Sequence, residues 1–167
     1  MIFLETDRLI LRNVQPRDGA VMYDYRNHEI CARYQRGQVR ELEEITRLVE
    51  RRQADTLGWE DNGLVAVELR ETGEMVGEIV VMPNDDCFSL GYTFSHRHHR
   101  RGYAYEALSA LIHRLHAMQP DWEFVSFTHP ENVPSMNLLK KLGYTDLGYS
   151  NKVESQVFGK WIKEDFV

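Results

Sequence analysis

Between residues 64 and 94 the chain repeats one pattern three times, and this limits what it can fold into. Residues 64–70, 75–82 and 87–94 are short runs dominated by Val, Ile, Leu, Met and aromatic side chains, the composition of strands. Glu71-Thr72-Gly73-Glu74 separates the first two runs and Pro83-Asn84-Asp85-Asp86 the next two. Turn-rich clusters of this length join hairpins, so the stretch predicts a three-stranded antiparallel meander.

The flanking stretches have the helical period. Asp18 reads as an N-cap, with Ala20, Met22 and Tyr23 opening a helix. Leu42, Ile45, Leu48 and Val49 mark a second helix over 41–54. Ala104, Leu108, Leu111 and Leu115 step by four, three and four, one apolar stripe of a helix over 102–118 that Pro120 stops. Residues 124–128 form a further strand candidate, and 134–142 a shorter helix with Pro134 in its first turn and Gly143 just past its end. Residues 8–12, 147–149 and 156–162 complete the set of strands. This order predicts a mixed α/β fold, with a central, largely antiparallel sheet flanked by helices. No linker, repeat or low-complexity tract divides the 167 residues, so one domain spans 1–167.

Composition excludes some function classes. A net charge of −6 argues against a dedicated nucleic-acid binder. No apolar run approaches the ~20 residues needed to span a bilayer, so no membrane partner is expected. Met1 to Asp7 has no signal-like apolar run, which points to the cytoplasm. Cys31 and Cys87 have no metal-like spacing and read as small core hydrophobes. His96, His98 and His99 have no carboxylate or thiolate partner at ligand spacing, so they read as loop residues and no metal is expected. His113 and His116 read as surface residues.

The chemistry concentrates after residue 90. Leu90-Gly91-Tyr92-Thr93-Phe94 ends a strand, Ser95 to Arg101 is a basic loop, and Gly102-Tyr103-Ala104 opens a helix. The first turn of a helix has unpaired N–H groups and the positive end of the dipole, so it attracts anions. Gly102 and Ala104 let a phosphate approach the backbone, and Arg97, Arg100 and Arg101 add charge. A pyrophosphate suits such a cradle, although a solvated basic loop would carry the same residues. One glycine is too few for a dinucleotide fingerprint, and no Gly-Lys-Ser/Thr makes it a P-loop.

His99-Arg100-Arg101-Gly102-Tyr103-Ala104 resembles the Gln/Arg-x-x-Gly-x-Gly/Ala loop of the GNAT acetyltransferases, with His99 departing at the first position. Leu90-Gly91-Tyr92 and Glu106-Ala107-Leu108 extend the resemblance. Asn132-Val133-Pro134-Ser135 followed by Leu142-Gly143-Tyr144 is similar to the Asn-x-x-Ser … Leu-Gly-Phe segment of the RimJ/RimL-like branch, as Thr6 to Arg12 is to its opening strand.

The resemblance implies an N-acetyltransferase with acetyl-CoA as co-substrate and a primary amine as acceptor, a protein N-terminus or a small molecule, working as monomer or homodimer. It implies that the main chain of Tyr92, Thr93 and Phe94 pairs with the pantetheine arm. His99, Arg100, Arg101, Gly102, Tyr103 and Ala104 would hold the pyrophosphate, and Asn132 and Ser135 the thioester region. Asn132 could equally cap the helix it precedes. The Tyr92 N–H is the oxyanion candidate and Ser135 the proton donor to the leaving thiolate. Where many relatives use a tyrosine for that step this chain has Leu139, and Phe127 stands where some carry a glutamate base. Glu78 is then the base candidate if it faces the cleft; as part of an alternating strand it would instead face solvent. His129 is a minor alternative base, and Glu29 and Tyr34 would border the acceptor. A module that binds acyl-CoA without turnover is the alternative reading.

Overall fold

The computed structural model describes residues 1–163. Eight strands form one sheet: β1 (Ile2–Glu5), β2 (Leu9–Asn13), β3 (Gly63–Leu69), β4 (Met75–Asn84), β5 (Cys87–Phe94), β6 (Glu123–Thr128), β7 (Thr145–Ser150) and β8 (Ser155–Lys160), in spatial order β1-β2-β3-β4-β5-β6-β8-β7. The helices are α1 (Asp18–Arg26), α2 (Glu29–Ala32), α3 (Leu42–Arg52), α4 (Tyr103–Met118) and α5 (Val133–Lys141). A single 3-10 turn, His96–His98, follows β5.

Helices cover both faces of the sheet, which explains why β3 is apolar almost throughout. Val65 and Val67 point to one core with Leu108 and Leu111 of α4, while Leu64 and Ala66 point to a second with Met22 and Tyr25 of α1 and Ile45 and Val49 of α3. A strand covered on both faces has no need of polar alternation.

The expected meander is present as β3, β4 and β5, all antiparallel. Its second turn is tighter than the sequence suggests. β4 continues through Pro83 and Asn84, which pair with Phe88 and Cys87, so only Asp85 and Asp86 make the turn, both at positive φ (48° and 59°). Two such residues form the I′ type of hairpin turn, a conformation Asp adopts more readily than most. Pro83 is tolerated because β3 pairs with β4 only as far as Val81.

Three expectations are corrected. Asp18 is the first residue of α1 and Arg17 its N-cap; the buried Asp18 carboxylate accepts from both terminal nitrogens of Arg12 (2.7 and 2.9 Å) and from the Gln15 N–H (2.8 Å). Residues 2–5 form a further strand, β1, against β2, beyond those expected. His116 is half-buried rather than a surface residue. Among the described residues no helix is long and apolar enough to cross a membrane.

Candidate active site

The site lies where the sheet comes apart. β5 and β6 are parallel and pair only over Cys87–Ser89 with Glu123–Val125. Beyond that the ladder stops, and the last contact across the seam is a side chain: Ser126 Oγ donates to the Leu90 carbonyl at 3.0 Å. The rest of β5 therefore has one strand neighbour, β4.

The direction of the β5 backbone follows from its register. The Ser95 N–H donates to Val76 O on the β4 side, and N–H and C=O of a residue in a strand share one side, alternating along the chain. Thr93 and Gly91 therefore face β4, whereas Leu90, Tyr92 and Phe94 face the gap. This corrects the expectation for Thr93, whose main chain is already paired with β4. Its hydroxyl accepts from Gln38 Nε2 at 3.1 Å. The gap-facing carbonyls have side-chain donors near them: Gln35 Nε2 at 3.5 Å from Tyr92 O, and both Cys31 Sγ (3.4 Å) and His99 Nε2 (2.7 Å) at Phe94 O. Among the described residues the Tyr92 N–H has no partner.

Two hydroxyls meet across the gap. Tyr92 on β5 and Ser135 on α5 lie 2.7 Å apart, oxygen to oxygen. Burial raises the Tyr92 phenol, against a smaller lowering from Ser135, to about 12. It is thus protonated at neutral pH, and either hydroxyl of the pair can donate to the other. Asn132 caps α5, its side-chain oxygen accepting from the Ser135 N–H at 3.3 Å, with Pro134 in the first turn. The cap sets the position of Ser135 on the first turn of α5.

The loop after β5 has the geometry of an anion cradle. Gly102 is left-handed (φ 80°) and provides no side-chain cap, which leaves the first N–H groups of α4 free. Arg100 is also left-handed (φ 64°), costly for a residue with a Cβ. Arg8 braces the loop from β2's approach: it donates to Arg101 O (2.9 Å) and Glu106 Oε1 (2.7 Å), with its guanidinium 4.6 Å above the Tyr103 ring. Nothing in the local sequence around Arg8 marked it for this role. Lys141 of α5 reaches the same depression, with its ammonium over Tyr105 at 4.4 Å.

The remaining candidates are distributed unevenly. Glu78 faces neither solvent nor an open cleft: it is 1% exposed, and its oxygens accept from Arg26 Nε (2.8 Å), Arg26 Nη2 (2.6 Å) and the Tyr25 hydroxyl (2.9 Å). Burial opposes the Arg26 charge, but the Glu78 carboxylate outweighs it and holds the guanidinium above its usual range. Tyr34 stacks on His129 (centroids 4.7 Å apart) and donates to Glu131 O at 3.4 Å, near Asn132. Glu29 points away, paired with Arg33 at the surface. Leu139 is buried in the core, and Phe127 is exposed on β6.

Such a sheet, opened between two parallel strands with a helix N-terminus at the mouth, defines an acyl-CoA-type transferase fold. Residues 8–145 match the acetyltransferase (GNAT) domain family, and the chain belongs to it. It is 24% identical over 151 residues to the uncharacterized N-acetyltransferase YnaD of Bacillus subtilis, covering 89% of this chain and 86% of that one. Among solved structures, a GNAT-family acetyltransferase from Bacillus anthracis superimposes with a TM-score of 0.81 at 20% identity, over 95% of this chain and 96% of its own. RimL, a ribosomal L7/L12 α-N-protein acetyltransferase in complex with coenzyme A, superimposes with 0.79 at 15% identity, over 97% and 98%.

Proposed function

We propose that this acetyltransferase moves the acetyl group of acetyl-CoA to a primary amine by direct attack on the thioester. The observation that carries the reading is the gap beside Tyr92 and Phe94, with the Tyr92–Ser135 hydroxyl pair across it. The pantetheine arm would lie in the gap as an added strand, and its pyrophosphate would meet the free N–H groups of α4 among His99, Arg100, Arg101, Gly102, Tyr103 and Ala104. The neighbour RimL carries coenzyme A on the same fold.

The amine attacks the carbonyl carbon, and the negative charge gathering on the oxygen falls to the unpartnered Tyr92 N–H. As the C–S bond breaks, Ser135 hydrogen-bonds the leaving sulfur while the Tyr92 phenol, fully protonated, donates to the Ser135 oxygen. The amine sheds its extra proton to water.

Glu78 is a positioning group in this reading, since every near donor already holds its carboxylate. The Glu78 carboxylate is engaged and the His129 Nδ1 already accepts the Glu131 N–H, which bears on the acceptor. Deprotonating a lysine-type amine at pH 7 costs about 4.6 kcal/mol, against about 1 kcal/mol for an α-amino group. The second needs little help, so an α-amine, in a peptide N-terminus or an amino-acid-like small molecule, is the favoured class. Tyr34 and His129 form the aromatic wall it would meet.

A thiol-release assay with acetyl-CoA against α-amino peptides, amino acids, polyamines and lysine side-chain peptides tests this. Turnover confined to α-amines is the expected result. Coenzyme A binding by calorimetry with no turnover on any amine would replace the transferase reading with that of a binding module.

A further inference from the structure

His28 and Cys31, three residues apart, are joined in the fold by the distant His96, at the junction of α2 with the end of β5. One ligand atom from each falls within 4.8 Å of the other two. His28 caps α2 and Cys31 lies one turn further along. His96 opens the 3-10 turn after β5. The two imidazoles stack with centroids 3.5 Å apart and planes within 11° of parallel, and Cys31 Sγ lies 4.0 Å from His96 Nδ1.

These separations are close to those a single ion would impose. With Zn–N near 2.05 Å and Zn–S near 2.3 Å, tetrahedral geometry sets two nitrogens about 3.3 Å apart and nitrogen and sulfur about 3.6 Å apart. The ring centroids, 3.5 Å apart, bring the two imidazoles within reach of that nitrogen spacing once the rings turn their lone pairs toward one point, and the thiol is about 0.4 Å beyond the second distance. Both histidines are half-buried, so their rings can tilt toward a shared point, while Cys31 is buried. His28 Nδ1 accepts the Ile30 N–H at 3.3 Å, leaving Nε2 uncommitted.

We propose that His28, Cys31 and His96 bind one zinc ion, with a fourth position left to water. One thiolate and two imidazoles form a borderline-soft set that selects zinc over magnesium or calcium. Binding releases the Cys31 thiol proton to solvent and forms a metal–sulfur bond in place of the Sγ–Phe94 O contact. The ion ties α2 to the strand end and the loop that leads into α4. It thus links the acceptor side of the site to the phosphate side, and the Phe94 carbonyl at the gap loses one of its two donors.

The test titrates Co2+, then Zn2+, into chelator-treated full-length protein. The expected result is one equivalent of cobalt with thiolate-to-cobalt charge-transfer absorption, displaced by zinc and lost in Cys31→Ser. His28→Gln and His96→Gln should weaken binding by at least the ~10–100-fold that loss of an outer-sphere partner costs. His113→Gln, exposed on α4, should bind like the parent. Absorption that survives Cys31→Ser, or no stoichiometric uptake, overturns the site. If the Cys31 variant does not fold, alkylation of the parent decides the matter. Zinc should protect Cys31 and leave the half-buried Cys87 unchanged, and equal alkylation of both with and without zinc rejects the proposal.

Discussion

Replacing Glu78 by Gln separates a structural carboxylate from a catalytic one. The change keeps the shape and removes the charge, leaving the Arg26 guanidinium buried, 5% exposed, with only neutral acceptors, Val39 O (2.9 Å) and the new amide oxygen. Breaking a buried ion pair from one side costs about 3–5 kcal/mol, because the remaining charge is uncompensated. Against a total stability of roughly 5–15 kcal/mol this is a large fraction. For a urea m-value near 2 kcal/mol/M, the midpoint should fall by about 1.5–2.5 M. Replacing both partners, Arg26→Met with Glu78→Met, should recover most of that loss, since no buried charge is left. Turnover per folded molecule, and its pH profile, should stay near those of the parent. The reasoning is refuted if Glu78→Gln leaves the urea midpoint within 0.5 M (an arbitrary margin of roughly 1 kcal/mol) while abolishing the acidic limb of the rate profile. Glu78 would then be the base.

Three further outcomes are expected. A Cβ on Gly77 would lie 2.7 Å from Phe94 Cδ1 and 2.8 Å from Thr93 O, so Gly77→Ala should cost about 1–3 kcal/mol and lower the melting temperature by about 2–4 °C for each kcal/mol. Gly102→Val forces a branched side chain to φ +80° at the mouth of α4, and coenzyme A affinity by calorimetry should fall about tenfold or more, as 1–3 kcal/mol of backbone strain implies. The folded-state phenol of Tyr92 titrates at about 12 against ~10 when unfolded. The stability this gives is complete below pH ~10 and is lost as pH rises toward 12; urea midpoints followed through that window should drop less in Tyr92→Phe.

Local signals were easy to read in the sequence because their causes are local. The stripe Ala104, Leu108, Leu111, Leu115 marks α4 without help from the rest of the chain, and the apolar runs of the meander need only their turns. Pro83 misled because its effect depends on whether a neighbouring strand needs its missing N–H, which β3 does not. Asp18 looks like a cap until Arg12 is brought beside it. Glu78 shows the same limit more sharply: alternation along β4 says nothing about α1, which supplies both Tyr25 and Arg26. The thiol of Cys31 is 65 residues from His96, so no spacing rule joins them. The Gly102 loop and the Asn132–Ser135 segment were legible because each is a short contiguous motif at a helix N-terminus, the first turned by a left-handed glycine and the second capped by Asn132.

The brevity of the β5–β6 ladder affects how the molecule can deform. Three residue pairs hold the five-strand side to the three-strand side through the backbone, while Phe88, Phe124 and Phe158, all fully buried, join the two sides through one core. Main-chain bonds fail abruptly when misaligned, whereas contacts between aromatic faces change gradually with angle. A joint made mostly of the second kind can open by a few degrees without losing a bond. Substitutions among the three phenylalanines are therefore expected to change the width of the wedge from beneath, without touching the Tyr92–Ser135 pair or the Gly102 loop.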